Sequence, residues 1–340
     1  MVSQRPRGLF INPTKAQCSI YESGRMMYQA LLHSDRYDLD YLEFDPAHPQ
    51  LGTHYQFYLF NYHHATMGWL DTKCLKDLPA PKFTFVLEVA PGNPFALCPP
   101  DDFDAYLPLD PSLVHPDPRV FPMPRPLELA EGLLPYREPR IPVIGTFGFG
   151  TPGKGFELVV DAVGREFKEA IVRINVPQGT HADPYMFKLF GMPYADHLEA
   201  LCRKVARPGI EVEFTRDYMD ERDLIQWCGQ NTLNCFLYNR DQPGLSATTD
   251  QAIAAARPLA VGTNPTFRHL HTYLKPYPFR SLREAIAESL PEVMQMRADW
   301  APTSFAKRFE EMLATQGSWL RKNGKWDCAD LSPPPGSPFF

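Results

Sequence analysis

Pro142-Val-Ile-Gly-Thr-Phe147, then Gly148-Phe-Gly-Thr-Pro-Gly-Lys-Gly155, then Phe156-Glu-Leu-Val-Val-Asp-Ala-Val-Gly-Arg-Glu-Phe167 is the stretch that decides the fold. An apolar run of strand length, a glycine-rich turn and a segment of helical periodicity, in that order, form the unit from which parallel α/β sheets are built. Glycines in such a turn let the backbone approach a phosphate, and the helix start offers unpaired N–H groups. Lys154 adds a compact charge suited to a diphosphate. The run holds neither GK[ST] nor a placed G-x-G-x-x-G, so it is neither a P-loop nor a dinucleotide fingerprint. On this segment alone a glycine turn with a solvated lysine stands beside the phosphate-binding reading.

Working toward the C-terminus, strands are expected at Ile171–Val176, Ile210–Phe214, Leu233–Leu237 and Leu259–Val261. Helices are expected at Tyr194–Val205, Asp220–Cys228 with Asp220 as N-cap, and Thr248–Ala256. This rhythm is that of a doubly wound domain. A second polar segment leaves the strand at Leu233–Leu237 and runs through Gly244 to Ser246, Thr248, Thr249, Asp250 and Gln251. Small hydroxyl residues there suit phosphate or ribose oxygens, although each taken singly is also an ordinary helix cap. Arg268-His269, just beyond the last strand, is placed to meet phosphates or, equally, to pack a loop.

Working toward the N-terminus, strands are expected at Gly8–Ile11, Leu39–Phe44, Gln56–Tyr62, Phe83–Val89, Ala105–Leu107 and, briefly, Arg119–Phe121. Met26, Met27, Ala30 and Leu31 mark one side of a helix over residues 22–34. Tyr55, Phe57, Tyr58, Phe60 and Tyr62 recur at strand spacing and read as core, not as a sugar-stacking platform. His63-His64 follows the third strand, where imidazole can act as a base or bind a hydroxyl. Glu88 ends the next one, and a charge in an apolar strand must find a partner or a ligand. Lys15, Ser19 and Gly24 lie between the first strand and its helix.

The 340 residues suit two domains, and 44% hydrophobic with 22% charged residues gives both a core. Pro is roughly twice as frequent as average, and the prolines between residues 122 and 141 mark a boundary. A net charge of -6 counts against non-specific binding to nucleic acid. No apolar run reaches membrane-spanning length and the start lacks a signal-peptide core. The seven cysteines include no CxxC pair, so neither a metal site nor a disulfide framework is expected and a cytoplasmic location is.

Lys154-Gly155, Pro243-Gly244-Leu245-Ser246 and Gln251-Ala252-Ile253-Ala254-Ala255-Ala256-Arg257-Pro258-Leu259 together resemble the C-terminal half of GT-B glycosyltransferases of the retaining, family-4 type. The matched motifs are a glycine-rich strand end with Lys-Gly, then Glu-Gly-Phe-Gly, then Glu-Ala-Met-Ala-x-Gly-x-Pro-Val. The resemblance covers residues 141–270 by motif and the first half by architecture only. It implies an α/β, GT-B fold of two Rossmann-like doubly wound domains facing a cleft. The expected divisions are an acceptor domain at 1–125, a linker at 126–140, a nucleotide-sugar domain at 141–302, a helix at 303–323 and a loose tail at 324–340.

The resemblance further implies a glycosyltransferase moving a sugar from a nucleotide diphosphate sugar to a hydroxyl on a glycan, small molecule or protein, with no cofactor and no metal. Donor-binding residues would be Gly150, Gly153, Lys154, Gly155, Gly244, Ser246, Thr248, Asp250, Gln251 and Arg268; catalytic candidates are His63, His64 and Glu88. The family's paired glutamates fall on Pro243 and Gln251, neither acidic, and Phe149 stands near the place of its arginine. The glutamate loss weakens the inference of retention and opens an alternative, a non-catalytic binding protein derived from a transferase. A transferase acting on modified DNA bases is a further alternative; a dinucleotide oxidoreductase lacks its fingerprint.

Overall fold

A computed structural model describes residues 5–14, 19–44, 51–64, 66–67, 75, 77–96, 98, 101–177, 191–241 and 244–322. The chain divides into two compact units, Met1–Pro126 with Trp300–Phe340, and Leu127–Asp299. Residues 127–140, expected to be a linker, are part of the second unit. There Leu134 N donates to Gln226 Oε1 and the Arg257 guanidinium lies 3.3 Å from the centroid of the Tyr136 ring. The expected tail and Lys15 lie outside the described residues.

In the first unit five strands, β1 (Arg7–Pro13), β2 (Asp38–Phe44), β3 (Phe57–Tyr62), β4 (Lys82–Val86) and β5 (Ala105–Pro108), form one parallel sheet in the order β2-β1-β3-β4-β5. Period-two alternation sends Phe57 and Leu59 to one face and Tyr58 and Phe60 to the other, and all four are fully buried. Helix α1 (Ser19–Leu31) and the C-terminal helix Pro302–Lys322 cover the Phe57 face, with Met27, Leu31, Phe305 and Phe309 against it. The aromatic run is therefore core on both sides. The expected strand at Arg119–Phe121 is a single bridge between Val120 and Tyr106. Pro118 and Pro122 flank it, and neither has an N–H to extend the ladder. β4 stops at Val86, whose partner is Pro108, so Glu88 lies past the strand and not within it.

In the second unit β6 (Val143–Phe147), β7 (Ala170–Asn175), β8 (Ile210–Thr215), β9 (Leu233–Phe236) and β10 (Leu259–Val261) make a second parallel sheet in the order β10-β9-β6-β7-β8. Helices α2 (Phe156–Glu166), α3 (Tyr194–Val205) and α6 (Leu282–Glu288) pack Phe156, Val159, Val163, Leu198 and Leu282 onto Ile144, Val172 and Cys235. Helix α4 (Glu221–Gly229) brings Trp227 against Phe147, whose ring also meets Phe236. Asp220 is its N-cap, accepting from Asp223 N at 2.8 Å. Helix α5 (Thr248–Ala254) leads into β10, α7 (Leu290–Asp299) follows α6, and Pro302–Lys322 is α8.

Candidate functional site

Anion-binding chemistry collects in the second unit at the carboxyl ends of β6 and β9. These strands are neighbours, yet the chain proceeds from β6 to β7 on one side and from β9 to β10 on the other. Such a reversal opens a crevice above the strand ends, the place where open α/β sheets receive ligands.

The crevice is built from two loops held together by backbone. Gly155 caps the start of α2 with φ 63°, and a Cβ there would stand 2.0 Å from the Leu237 carbonyl oxygen. Gly153, with φ 81°, would press a Cβ to 2.6 Å from Arg240 Cβ, and its own carbonyl accepts from Asn239 N at 3.0 Å. Only glycine permits both the left-handed backbone and the close approach. Gly150 is buried against Val176 and packs the loop.

Between the loops stands Tyr238, buried at the end of β9. Lys154 Nζ donates to its hydroxyl at 3.0 Å and lies 4.4 Å from its ring centroid, so the ammonium is held by a hydrogen bond and a cation–π contact. Thr248 Oγ1 is 2.8 Å from the same phenol oxygen and 2.7 Å from Ser246 Oγ. Burial alone would raise the phenol's pKa. The Lys154 ammonium, with hydrogen bonds from Ser246, Thr248 and Lys154 itself, outweighs burial and holds Tyr238 below the ordinary tyrosine value. A second cation is close by. Arg240 Nη2 donates to the Gly244 carbonyl and to Thr266 Oγ1, each at 2.9 Å, and its Cζ is 5.8 Å from the Tyr238 centroid. Ser246 N in turn donates to the Thr266 carbonyl at 3.1 Å, so Arg240 braces the segment that presents Ser246. Among the described residues neither Lys154 nor Arg240 has a carboxylate within ion-pair distance.

Thus Lys154, Gly153, Gly155, Gly244, Ser246 and Thr248 are brought together. Gln251, three residues along α5 from Thr248, donates its amide to Glu221 Oε1 at 3.0 Å. Burial pushes the Glu221 carboxyl up to about 7; the Gln251 bond opposes this, and the charges of Glu128, Asp250 and Asp220 reinforce it. Asp250 is buried in the first turn of α5. Arg268, after the Pro265–Phe267 turn, donates to the Pro265 carbonyl at 3.1 Å, and His269 beside it is buried. Pro243 lies outside the described residues.

In the first unit His63 is buried and its Nε2 is 3.7 Å from Glu88 Oε1, while the exposed His64 stacks on it at 4.5 Å between centroids. An imidazole beside a carboxylate at the ends of β3 and β4 has the composition of an oriented base. Gly24 is not in a loop. It lies inside α1, which begins at Ser19, and faces Asn12 and Asn61. Among the described residues no cluster of three His, Cys, Asp or Glu is arranged for a metal ion, and no helix is long and apolar enough to cross a membrane.

No family model matches the chain, and no curated protein matches it in sequence. In structure it is similar to Alr3699/HepE of Anabaena in complex with UDP and glucose, with a TM-score of 0.61 at 10% identity over 92% of this chain and 100% of that one. It is likewise similar to the UDP-forming α,α-trehalose-phosphate synthase of Burkholderia vietnamiensis, with a TM-score of 0.61 at 10% identity over 93% and 98%. The fold is that of the GT-B glycosyltransferases. The N-terminal domain of trehalose-6-phosphate phosphatase from Candida albicans shares it, with a TM-score of 0.62 at 9% identity over 93% and 98%. A GT-B fold thus occurs in a protein named for a different reaction, so activity must be argued from the site.

Within this GT-B chain the residues that sequence reading overlooked are Tyr238, Arg240 and Glu221. Tyr238 and Arg240 lie two and four residues after the apolar strand β9, a position that exposes polar atoms at a sheet's carboxyl edge. Glu221 carries no signal in the sequence, because its partner Gln251 lies on another helix 30 residues away.

Proposed function

We propose that this GT-B chain is a glycosyltransferase that moves a sugar from a nucleotide diphosphate sugar to a hydroxyl acceptor, with the second unit holding the donor. The observation that carries the reading is Lys154, an ammonium fixed above the Tyr238 ring, beside the hydroxyls of Ser246 and Thr248, with no carboxylate among the described residues to neutralise it. A fixed cation with hydroxyl donors and an unsatisfied charge, at a sheet's switch point, is complementary to a diphosphate. Gly153 and Gly155 let the ligand approach the backbone, Gly150 and Gly244 shape the loops, Asp250 and Gln251 lie in the first turn of α5, and Arg268 follows the Pro265–Phe267 turn as a further donor-binding candidate.

In transfer, the bond between the sugar's anomeric carbon and the diphosphate oxygen breaks as the acceptor oxygen bonds to that carbon. The acceptor proton passes to a base, and His63, beside Glu88 and stacked on His64, is the candidate. Charge developing on the diphosphate is met by Lys154 and Arg240, so no metal ion is required in this reading. The acceptor class is a glycan, a small molecule or a protein.

Calorimetry with uridine, guanosine and cytidine diphosphates tests it. One of the three should bind, and Lys154→Ala should weaken it by about 2–3 kcal/mol, the worth of charge-assisted hydrogen bonds, or roughly 30- to 150-fold. No binding by any of them would sink the proposal. The second reading, a protein that binds the nucleotide without transferring sugar, is favoured by Gln251 at a position where the resemblance expects a glutamate. A protein that binds the diphosphate but neither hydrolyses nor transfers the sugar of the matching donor would establish it.

A further inference from the structure

An outer strand of a sheet offers main-chain N–H and C=O groups with which another chain can pair. The two sheets have β2 and β5, and β10 and β8, as outer strands, and all but β2 are blunted. Val120 bridges Tyr106 outside β5, and the Met123 N–H donates to the Pro108 carbonyl. Outside β10 the Tyr277 N–H donates to the Val261 carbonyl, and the Leu259 N–H donates to Ser289 Oγ. On β8 the Arg203 guanidinium donates to the outward Val212 carbonyl. Two copies of that strand paired about Val212 would also set Glu211 against Glu213.

β2 is built differently. The Asp38 N–H donates to the Pro6 carbonyl, so even-numbered residues of this parallel strand turn their main chain to β1, and Leu39, Tyr41 and Glu43 turn theirs outward. Tyr28 Oη donates to the Leu39 carbonyl at 3.2 Å; the other outward groups have no partner among the described residues. None of the seven residues is proline or lysine, and no bulge interrupts their register with β1. Asp38 and Asp40 have Arg5 and Arg7 beside them, at 4.0 and 2.7 Å. A cavity of about 660 Å³ lies along this edge, lined by Leu9, Tyr28, Tyr41, Leu42, Leu51 and Tyr55. An open edge flanked by apolar space fits an added strand.

The residues of β2 name the strand that fits. Set antiparallel to itself, Asp38-Leu-Asp-Tyr-Leu-Glu-Phe44 opposes all seven residues only when centred on Tyr41. Asp38 then faces Phe44, Asp40 faces Leu42 and Leu39 faces Glu43, so no acid meets an acid. Tyr41 lies opposite its own copy, with its N–H and C=O already turned outward as such a centre requires. We infer that a second copy of this chain pairs its β2 with this one, joining two five-stranded sheets about a two-fold axis. Tyr41 exchanges main-chain bonds with its copy, and Leu39 with Glu43. The Leu39 carbonyl keeps Tyr28 on one lone pair and takes the second copy on the other.

Sedimentation of the full chain from micromolar to millimolar concentration, with hydrogen exchange of residues 38–44, tests the pairing. Dimers should form as concentration rises, and exchange at the Leu39, Tyr41 and Glu43 amides should slow with them. Glu43→Pro deletes an outward N–H that β1 does not use. It should weaken the dimer about 30-fold, because two hydrogen bonds are lost across the axis. Glu43→Ala keeps that N–H while losing the same contact to Tyr21, and should dimerise nearly as wild type does. A chain that stays monomeric overturns the inference. So does a dimer that Glu43→Pro leaves intact, that Glu43→Ala weakens as much, or that forms with exchange at residues 38–44 unchanged. Slow exchange at these amides in the monomer would mean that the edge is filled from within one chain, and overturns it too. Should Glu43→Pro fail to fold, the wild-type exchange decides alone.

Discussion

The two sheets of this chain each reverse direction once, and the two reversals are furnished in opposite ways. In the first unit the reversal lies between β1 and β3, and it is closed. Asn61 Nδ2 donates to Asn12 Oδ1 at 2.7 Å and to the Ile20 carbonyl at 2.8 Å; Asn12 Nδ2 donates to the Tyr21 carbonyl and to the Tyr41 hydroxyl. Both asparagines are fully buried, and Gly24 lets α1 lie directly upon them. In the second unit the reversal lies between β6 and β9, and glycine there turns the loop so that Lys154 meets Tyr238 beside the hydroxyls of Ser246 and Thr248 at the strand ends. The same topology thus gives a sealed joint in one unit and a charged receptacle in the other. The difference lies in what the polar side chains at the strand ends meet: each other and the following helix in the first unit, with Asn61 Oδ1 left unpaired, and a lysine, a phenol and two hydroxyls in the second.

A methyl group placed at each reversal separates the two cases. Gly24→Ala puts a Cβ 2.0 Å from Asn12 Oδ1 and 2.3 Å from Asn61 Nδ2, in a buried network without room to give. Overpacking and a broken polar network together cost more than the ~1 kcal/mol that alanine gains as a helix former, leaving a net loss of about 2–3 kcal/mol. Thermal melting should show that loss, with nucleoside diphosphate affinity of the folded fraction unchanged. A fall in affinity of the folded fraction would mean that the first reversal is not a purely structural joint.

The next effect is smaller and carries a pH signature. Glu221 is raised from 4.5 to about 7 in the fold, so its contribution to stability is full below 4.5 and is lost as pH rises through 7. Glu221→Gln removes that loss. The variant should gain roughly 1–2 kcal/mol over wild type at pH 8, after allowance for the solvent that reaches this partly exposed group, and nothing at pH 4. Denaturant unfolding at the two pH values checks this. A variant equally stable or weaker at pH 8 would show that the carboxyl is already satisfied.

These contrasts also mark what a sequence can show. The second sheet was legible because Val143–Phe147, Ile210–Phe214 and Tyr194–Val205 carry clean apolar periods between turns. Helices α6 and α7 were not anticipated, although Ser281 and Glu284 form a reciprocal capping box, because Pro276, Pro278 and Pro291 interrupt the pattern. Lys154 and Ser246 were legible as residue types beside strand ends. Their convergence on Tyr238 was not, since the pairing of β6 with β9 is a fact of strand order that local pattern does not encode. Charge balance is equally non-local: Lys154 and Tyr238 are 84 residues apart, and the sealed Asn12–Asn61 pair is separated by 49.

Tyr238→Phe asks how much of the open reversal depends on one oxygen. The substitution keeps the ring, and with it the cation–π contact to Lys154, but deletes the hydroxyl that joins Lys154 to Thr248. Thr248 retains Ser246 as a partner at 2.7 Å, so no buried polar atom is orphaned and the fold should be nearly indifferent. What is lost is the placement of the ammonium. Affinity for a nucleoside diphosphate should fall by about 1 kcal/mol, roughly fivefold, well short of the Lys154→Ala effect. A loss as large as that of Lys154→Ala would make the phenol a ligand-binding group in its own right. No loss would mean that the ring alone positions the lysine, and that the low phenol pKa is a consequence of the lysine's presence without a part in its placement.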